Sequence, residues 1–247
     1  MTTKTIAITG ATGQFGSIAL NLLKAKHANV IALVRNPAKI SGTEARQFDY
    51  AKPEGQVEVL QGVDTLILVS SSEVGQRIQQ HKNVIEAAKK AGVKHIIYTS
   101  LLGASNNNTV KSLAGEHLAT EDALKASGIT YTILRNGWYT ENHTVSVPAA
   151  LANNAFYGSA KNGKISSALR AELAEAAVNV ALGEGHENQT YELAGSTSWT
   201  LADLAAEISR QTGKEIPYVD IPATDYAAAL VQAGLDLSLI HISEPTR

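Results

Sequence analysis

Three glycines at intervals of three residues constrain this chain more than any other feature. Gly10, Gly13 and Gly16 directly follow a short apolar run at residues 5–8, and a helical pattern at residues 17–26 comes after them. Gly10 permits a tight turn, Gly13 lets the backbone approach a pyrophosphate, and Gly16 lets the helix pack close to the strand. The helix N-terminus then offers N–H groups and a positive dipole end. The alternative is a loop-to-helix joint that binds nothing.

We assign this whole turn to dinucleotide binding, through Gly10, Ala11, Thr12, Gly13, Gln14, Phe15 and Gly16. The next strand ends at Arg35, where an NAD-specific site normally has an acidic residue for the ribose 2′-hydroxyl. A guanidinium instead binds a 2′-phosphate with paired hydrogen bonds, and Lys39 adds a second positive charge. The sequence therefore predicts NADPH as the cofactor in preference to NADH, the alternative being that Arg35 is only a solvated residue at a strand end.

Composition excludes several classes of function. The chain has 247 residues and a formal net charge of −2, so we expect no basic surface for nucleic acid, and aromatic residues are only 5%. The absence of cysteine excludes disulfides and thiolate metal sites and fits a reducing cytoplasm. We expect a cytoplasmic protein without a metal site, signal peptide or membrane insertion, because a core strand begins near residue 5 and no apolar run approaches about 18 residues.

Strand and helix patterns alternate along the chain, which is typical of a doubly wound parallel sheet. Strands are predicted at residues 5–9, 29–34, 45–49, 65–70, 95–100, 130–135 and 190–193, with an edge strand between 215 and 221. Helices are predicted at residues 14–26, 53–60, 74–91, 113–126, 170–182, 201–212 and 224–234. Gly92 and Gly128 suit helix C-termini, and Thr200 suits an N-cap.

The predicted fold class is therefore α/β, a Rossmann-type doubly wound parallel sheet with a small C-terminal substrate lobe. Residues 1–150 form the main part of an NADP-binding domain, and residues 151–236 complete the sheet and form the lobe. Residues 237–247 break the amphipathic pattern and resemble the translation of a sequencing adapter, so His241 and Glu244 are excluded from the site. On this interpretation the natural protein continues beyond Asp236, and the lobe is truncated here.

Six sequence strings, in this order, identify a family resemblance. They are ITGATGQFG at residues 8–16, VRNPAK at 34–39, LVSSSEVGQR at 68–77, YTSLL at 98–102, LRNGWYTEN at 134–142 and YELAG at 191–195. The chain resembles the NmrA-like atypical short-chain dehydrogenases/reductases, and among them the bacterial type 2 NADPH:quinone oxidoreductases. The resemblance implies flavin-independent reduction of quinones by NADPH. The loop after Arg35 is short for this family, which leaves the bounds of the third strand open.

Polar residues follow two central strands at the edge where such sheets bind ligands. Ser70, Ser71 and Ser72 end the fourth strand, where short hydroxyl side chains suit close approach to the ribose and nicotinamide side of the cofactor. The alternative is a serine cluster that caps the following helix, and both roles are compatible. Thr99 and Ser100 end the fifth strand, where the superfamily usually carries its catalytic serine.

The resemblance places Asn136, Gly137, Trp138 and Tyr139, after the sixth strand, against the nicotinamide. Gly137 allows close backbone approach, and Trp138 and Tyr139 offer a flat apolar wall to an aromatic substrate, so both aromatics are candidate catalytic residues. The alternative is a packed corner of the core.

The superfamily's usual acid, a tyrosine followed four residues later by lysine, is absent from the helix after the fifth strand. His117 stands where that tyrosine is expected, with Glu121 one turn on, and is the candidate proton donor. The alternative is a solvated helix face. The match Tyr157-x-x-x-Lys161 lies beyond the sixth strand and is interpreted as coincidence.

The leading functional hypothesis is hydride transfer from NADPH to a small-molecule quinone. Because a reduced quinone is a stabilised anion that water protonates, such a reaction needs ring alignment more than a strong acid. Two alternatives stay open, namely a non-catalytic NADP(H)-binding redox sensor of the NmrA type, and a reductase of another electrophile such as an azo compound or an enone. The sequence is compatible with a homodimer but leaves the oligomeric state and the physiological quinone undetermined.

Overall fold

The computed structural model describes residues 4–104 and 111–232. The chain divides into two compact units. The first comprises Met1–Asn136 and Arg170–Leu193, and the second comprises Gly137–Leu169 and Ala194–Arg247. The chain therefore leaves the first unit, returns to it for one helix and one strand, and leaves it again.

The first unit is built on a seven-stranded sheet in which every pair of neighbours is parallel. The strand order is β3-β2-β1-β4-β5-β6-β8. The strands are β1 (Thr5–Thr9), β2 (Asn29–Val34), β3 (Glu44–Gln47), β4 (Thr65–Leu68), β5 (His95–Leu101), β6 (Thr130–Asn136) and β8 (Gln189–Leu193). Strands β1, β2, β4 and β5 are almost continuously buried because helices cover both faces of such a sheet.

Five helices accompany this sheet, and they are α1 (Gln14–Ala25), α2 (Gln56–Val59), α3 (Arg77–Ala91), α4 (Lys111–Ala126) and α7 (Arg170–Leu182). Helix α1 lies beside α7, whereas α3 lies between α2 and α4. Leu66 and Ile96 of the strands, Val84 of α3 and Leu124 of α4 belong to one buried cluster. This shared core packs α3 and α4 against the strands whose carboxyl ends carry the loops of the site.

The second unit contains a two-stranded parallel sheet of β7 (Phe156–Gly158) and β9 (Tyr218–Asp220). Its helices are α5 (Glu141–Thr144), α6 (Val147–Asn153), α8 (Leu201–Thr212) and α9 (Ala223–Gln232). Phe156, Leu201, Ile208 and Ile216 form its apolar core. Thr200 begins α8 with a capping box to Asp203, as the sequence predicts.

The predicted α/β class and Rossmann-type sheet are confirmed. The predicted domain boundary at residue 150 differs from the change of unit after Asn136. Helix α2 is shorter than predicted because Gly55 adopts a left-handed backbone, with φ of 80°, immediately before it. Tyr157 lies in β7 of the second unit. The expectation for residues 237–247 lies outside the described residues.

Candidate cofactor-binding site

The glycine turn between β1 and α1 has the geometry that its spacing predicts. Gly10 has φ of 59°, a left-handed conformation that glycine adopts without strain, and its carbonyl accepts the amide of Gly13 at 2.8 Å. A Cβ on Gly16 would lie 2.2 Å from the Gly10 carbonyl oxygen and 3.0 Å from the Ala11 Cα. Because these are backbone atoms, Gly16 has no room for a side chain, and the helix and strand meet as closely as a dinucleotide turn requires.

The N-terminus of α1 suits an anionic group. Gly13 is its N-cap and makes no side-chain capping bond, and the first turn contains no acidic residue. Thr12 and Gln14 are exposed, whereas the side chains of Ala11 and Phe15 are buried in the core. Ala11 and Phe15 therefore offer backbone rather than side-chain atoms to a bound dinucleotide. The amides at the start of α1, the positive end of its dipole and the close packing of helix and strand at Gly16 fit a pyrophosphate.

Arg35 directly follows β2 and is exposed, and Lys39 is exposed in the short 3-10 turn Pro37–Lys39. Over residues 4–104 and 111–232, no hydrogen bond or ion pair holds the Arg35 guanidinium. The sheet order puts β2 beside β1, so Arg35 and the glycine turn leave neighbouring strands at one edge. A free guanidinium at this place fits the 2′-phosphate of NADPH.

The three serines after β4 differ sharply from one another. The Ser70 amide donates to Thr99 Oγ1 at 2.8 Å, which joins the end of β4 to the end of β5. Ser71 is buried, and its hydroxyl donates to Gln80 Oε1 at 2.5 Å. Ser72 is exposed. The Ser71 hydroxyl is therefore firmly engaged within the protein. The Ser70 hydroxyl makes a long bond of 3.4 Å to the Ser71 carbonyl, so the hydroxyls of Ser70 and Ser72 are better placed for a ligand.

Ser100, in β5, is also engaged. Its hydroxyl donates to Glu121 Oε1 at 2.7 Å, and Arg135 binds both oxygens of that carboxylate, at 3.0 and 2.8 Å. Burial alone would raise the pKa of Glu121, but the hydrogen bonds from Arg135 and Ser100 lower it below its usual range. Ser100, Arg135 and Lys125 occupy the carboxylate, so Glu121 acts on His117 through its charge, which raises the pKa of His117, and not through a hydrogen bond.

His117 lies inside the first unit rather than on a solvated helix face. It is 6% exposed, and its Nδ1 atom lies 2.8 Å from the Tyr98 hydroxyl. Burial and the charge of Arg77 lower the pKa of His117 to about 3, so the imidazole is neutral at pH 7. Its predicted role as a proton donor stays a prediction.

The segment after β6 is divided between the units. Asn136 ends β6, is buried, and its carbonyl accepts the amide of Leu102 at 2.8 Å. Gly137, Trp138 and Tyr139 belong to the second unit, where the Trp138 carbonyl accepts an amide at 3.2 Å. Their contact with a nicotinamide stays a prediction.

Within the first unit, the predicted residues therefore lie together at the carboxyl ends of β1, β2, β4, β5 and β6. The residues that sequence reasoning missed are Arg77, Gln80, His81 and Glu116, which surround Ser71 and Gly75 from α3 and α4. Arg77 closes the string LVSSSEVGQR, but nothing in that string marks its role, and the other three residues lie outside every motif, because the fold alone brings their partners close.

Comparison with known proteins decides the family. The NAD(P)H-binding family matches residues 10–184, from the glycine turn to the end of α7. This chain belongs to the NAD(P)H-binding family. The matched range contains every residue of the site described above, so the geometry at the carboxyl edge of the sheet is that of an NAD(P)H-binding protein.

Several relatives of this NAD(P)H-binding protein are known. Quinone oxidoreductase 2 of Escherichia coli (strain K12) is 52% identical in an alignment of 237 positions that covers 93% of this chain and 82% of that protein. An NmrA-like family domain-containing oxidoreductase of Aspergillus flavus is 32% identical over 85% of this chain and 72% of its own length. The resemblance to NmrA-like reductases is therefore confirmed.

A solved structure agrees with these relatives. The crystal structure of the Escherichia coli NADPH-dependent quinone oxidoreductase complexed with NADPH matches with a TM-score of 0.89 at 50% identity, and the match covers 96% of this chain and 86% of that one. Among the residues described, no helix is long and apolar enough to cross a bilayer. The same residues contain no group of three or more His, Cys, Asp or Glu side chains that could hold a metal ion.

Proposed function

We propose that this chain reduces quinones with NADPH by hydride transfer and without a flavin. The observation that carries the proposal is the 52% identity to Escherichia coli quinone oxidoreductase 2 over 93% of this chain. The site supports it, because the glycine turn, Arg35 and the polar ends of β4 and β5 lie at one edge of the sheet. When bound, NADPH supplies the hydride.

The residues of the first unit bind and orient the cofactor. The amides at the start of α1 would hold the pyrophosphate, and the exposed Arg35 would hold the 2′-phosphate that distinguishes NADPH from NADH. The loop after β4 would support the ribose and nicotinamide side through Ser70 and Ser72. Thr99 fixes that loop at the Ser70 amide. Binding of both rings in a defined orientation is the main catalytic contribution that we assign to the protein.

The absence of a tyrosine from α4 also favours a quinone over a ketone as the substrate. A ketone reductase benefits from an acid at the developing alkoxide, whereas the anion of a reduced quinone is delocalised over its ring. Trp138 and Tyr139 would present aromatic surfaces to such a ring, and both are half-buried. His117 stays a candidate for proton transfer, but because its imidazole is buried and neutral at pH 7 we expect its contribution to the rate to be small.

The direct test is consumption of NADPH by the purified, flavin-free protein, with and without a small benzoquinone. We expect quinone-dependent consumption with one hydroquinone formed per NADPH, and slower consumption of NADH. An azo dye and an enone run in parallel would detect a reductase of another electrophile. Tight NADPH binding without turnover of any of these compounds would contradict the proposal and favour a redox sensor.

A further inference from the structure

Ser71 is held by three side chains at once, and all three come from α3. The Nε atom of Arg77 donates to the Ser71 carbonyl at 2.7 Å, and His81 Nε2 accepts the Ser71 amide at 3.0 Å. Gln80 accepts its hydroxyl at 2.5 Å. Every polar group of Ser71 thus has a protein partner. The residue is an anchor of residues 69–76, which we call the serine loop, and not a free ligand contact.

An ion pair extends this anchor to the far end of the serine loop. Arg77 Nη1 pairs with Glu116 Oε2, and the side chains are 5% and 8% exposed. The other carboxylate oxygen, Glu116 Oε1, accepts the amide of Gly75 at 2.6 Å. One buried ion pair therefore holds the Ser71 carbonyl through its cation and the Gly75 amide through its anion. The ion pair therefore bridges Ser71 and Gly75 within the serine loop.

Stability alone does not explain a buried ion pair at this place. Removing two charges from water costs as much as their attraction returns, and apolar residues of similar volume often stabilise a protein equally well. An apolar pair, however, has no groups that bind the backbone of the serine loop. What the charged pair adds is the shape of that loop, because each charge also satisfies one loop backbone group.

His81 strengthens the same anchor. Because Nε2 accepts the Ser71 amide, the ring hydrogen is on Nδ1, which lies 3.1 Å from Thr120 Oγ1. The Thr120 hydroxyl in turn donates to the Glu116 carbonyl at 2.9 Å. Burial and the neighbouring charge of Arg77 lower the pKa of His81 to about 3. The acceptor is therefore present throughout the neutral pH range.

We propose that Arg77, Glu116 and His81 are positioning residues, which hold the serine loop in the conformation that receives the ribose and nicotinamide side of NADPH. The inference rests on the proposed function for the identity of the ligand. It does not require these residues to touch the cofactor, since all three act through the backbone of Ser71 and Gly75.

The test is a double variant, Arg77→Met with Glu116→Leu, that replaces the ion pair by apolar side chains. Three properties are measured, namely the melting temperature, amide hydrogen exchange in the serine loop without cofactor, and the calorimetric Kd for NADPH. We expect a melting temperature only a few degrees below that of the wild type, because the Ser71 carbonyl and the Gly75 amide lose these partners, together with faster exchange at the Gly75 amide and binding about tenfold weaker. Normal exchange and an unchanged Kd in this variant would overturn the inference.

Arg77→Lys serves as the second variant if the double variant does not fold. Lysine keeps the positive charge but has a single ammonium nitrogen in place of the separate Nε and Nη1 atoms of arginine. It therefore cannot reach the Ser71 carbonyl and the Glu116 carboxylate in the same geometry. We expect an intermediate loss of NADPH affinity, and wild-type affinity would again contradict the inference. The matched control is Lys94→Met, which removes the exposed Lys94–Asp64 ion pair at the opposite edge of the sheet. It should change neither amide exchange in the serine loop nor the Kd for NADPH.

The exchange measurement separates this inference from the proposed function. It needs no cofactor, so unchanged exchange at Ser71 and Gly75 overturns the anchoring role even if NADPH binds normally. Conversely, a wild-type chain that binds no NADPH contradicts the proposed function, whatever the exchange rates are. Faster exchange combined with an unchanged Kd would show that the anchored loop does not serve the cofactor, which also overturns the inference.

Discussion

The hydroxyl of Tyr98 and the Nδ1 atom of His117 lie 2.8 Å apart in a buried hydrogen bond between β5 and α4. Burial raises the pKa of Tyr98, and it lowers that of His117 to about 3. Both groups are therefore neutral over the working pH range of most enzymes. This pair links two elements of the first unit, and a neutral imidazole of this kind is a weak proton donor at pH 7.

The variant His117→Gln tests whether this residue acts in proton transfer. We expect kcat with a benzoquinone to fall by less than about threefold, because the imidazolium form, which donates a proton readily, is almost absent at pH 7. The melting temperature should fall by about 2–4 °C for the loss of roughly 1 kcal/mol of hydrogen bonding. A loss of two orders of magnitude in kcat at an unchanged melting temperature would instead make His117 catalytic.

Replacement of Arg35 tests the cofactor preference. Arg35→Ala removes the one guanidinium that we assign to the 2′-phosphate, so the Kd for NADPH should rise about 10- to 150-fold while that for NADH changes little. The matched control is Arg210→Ala, an exposed arginine of α8 that pairs with Glu207. An unchanged ratio of NADPH to NADH affinity in Arg35→Ala would contradict the assignment.

Two glycine variants test the turn before α1. Gly16→Ala places a Cβ at 2.2 Å from a backbone oxygen, so the turn must move, and NADPH binding should be lost or weakened at least about a hundredfold. The control Gly115→Ala is in α4, where the added methyl has no atom within 4 Å. It should bind NADPH normally and gain a few tenths to about 1 kcal/mol of stability. Equal affinities in the two variants would contradict the role of the turn.

His95 and His143, whose pKa is lowered to about 4, add to the dependence of stability on pH, which follows most strongly from His81 and His117. An unfolded histidine titrates near pH 6.5, but in the folded chain both have a pKa of about 3. As the pH falls below about 6.5, the unfolded state binds protons before the folded state does. The stability that these histidines contribute is therefore fully present above about pH 6.5 and is lost progressively between about pH 6.5 and pH 3. From pH 7 to pH 5 the loss should approach about 2 kcal/mol for each histidine.

Urea unfolding at pH 7 and pH 5 measures this loss, and a double variant His81→Gln with His117→Gln should show a flatter dependence. The carboxylates with lowered pKa, such as Glu121, lose their contribution only at lower pH. A wild-type free energy of unfolding that is equal at both pH values would show that these imidazoles are not held neutral by burial.

The sequence predicted the fold best where local signals decide it. The bounds of β1, β2, α7 and α8 agree with those expected from the apolar strand runs and the helix caps. Strand β4 ends two residues earlier than predicted, at Leu68. The reason is that Val69 and Ser70 donate their amides to the side chains of Thr9 and Thr99 instead of to a neighbouring strand.

The second unit was harder to predict. Strand β7 has three residues and pairs with β9 far along the chain, so no periodic pattern marks it. Helices α5 and α6 are short and were also missed.

In the first unit, helix α3 begins at Arg77 rather than at residue 74, since Gly75 has a left-handed φ of 86°.

The candidate site shows the same division. The glycine turn, Arg35 and the serines could be predicted because their residue types recur at fixed places in dinucleotide-binding sheets, and their contacts with the cofactor stay predictions. The ion pair of Arg77 and Glu116 joins residues 39 positions apart and binds backbone atoms, so no spacing in the sequence reveals it. Only the fold brings α3, α4 and the serine loop together.

The central claim is that this chain itself transfers a hydride from NADPH to a quinone. The most direct measurement is a single turnover of the flavin-free protein with a benzoquinone, followed by stopped flow with NADPH and with NADPH deuterated at the transferred position. The account predicts quinone-dependent loss of NADPH that is slower for deuterium on one face of the nicotinamide only. Stable NADPH in the presence of the quinone, with the cofactor bound, would contradict it.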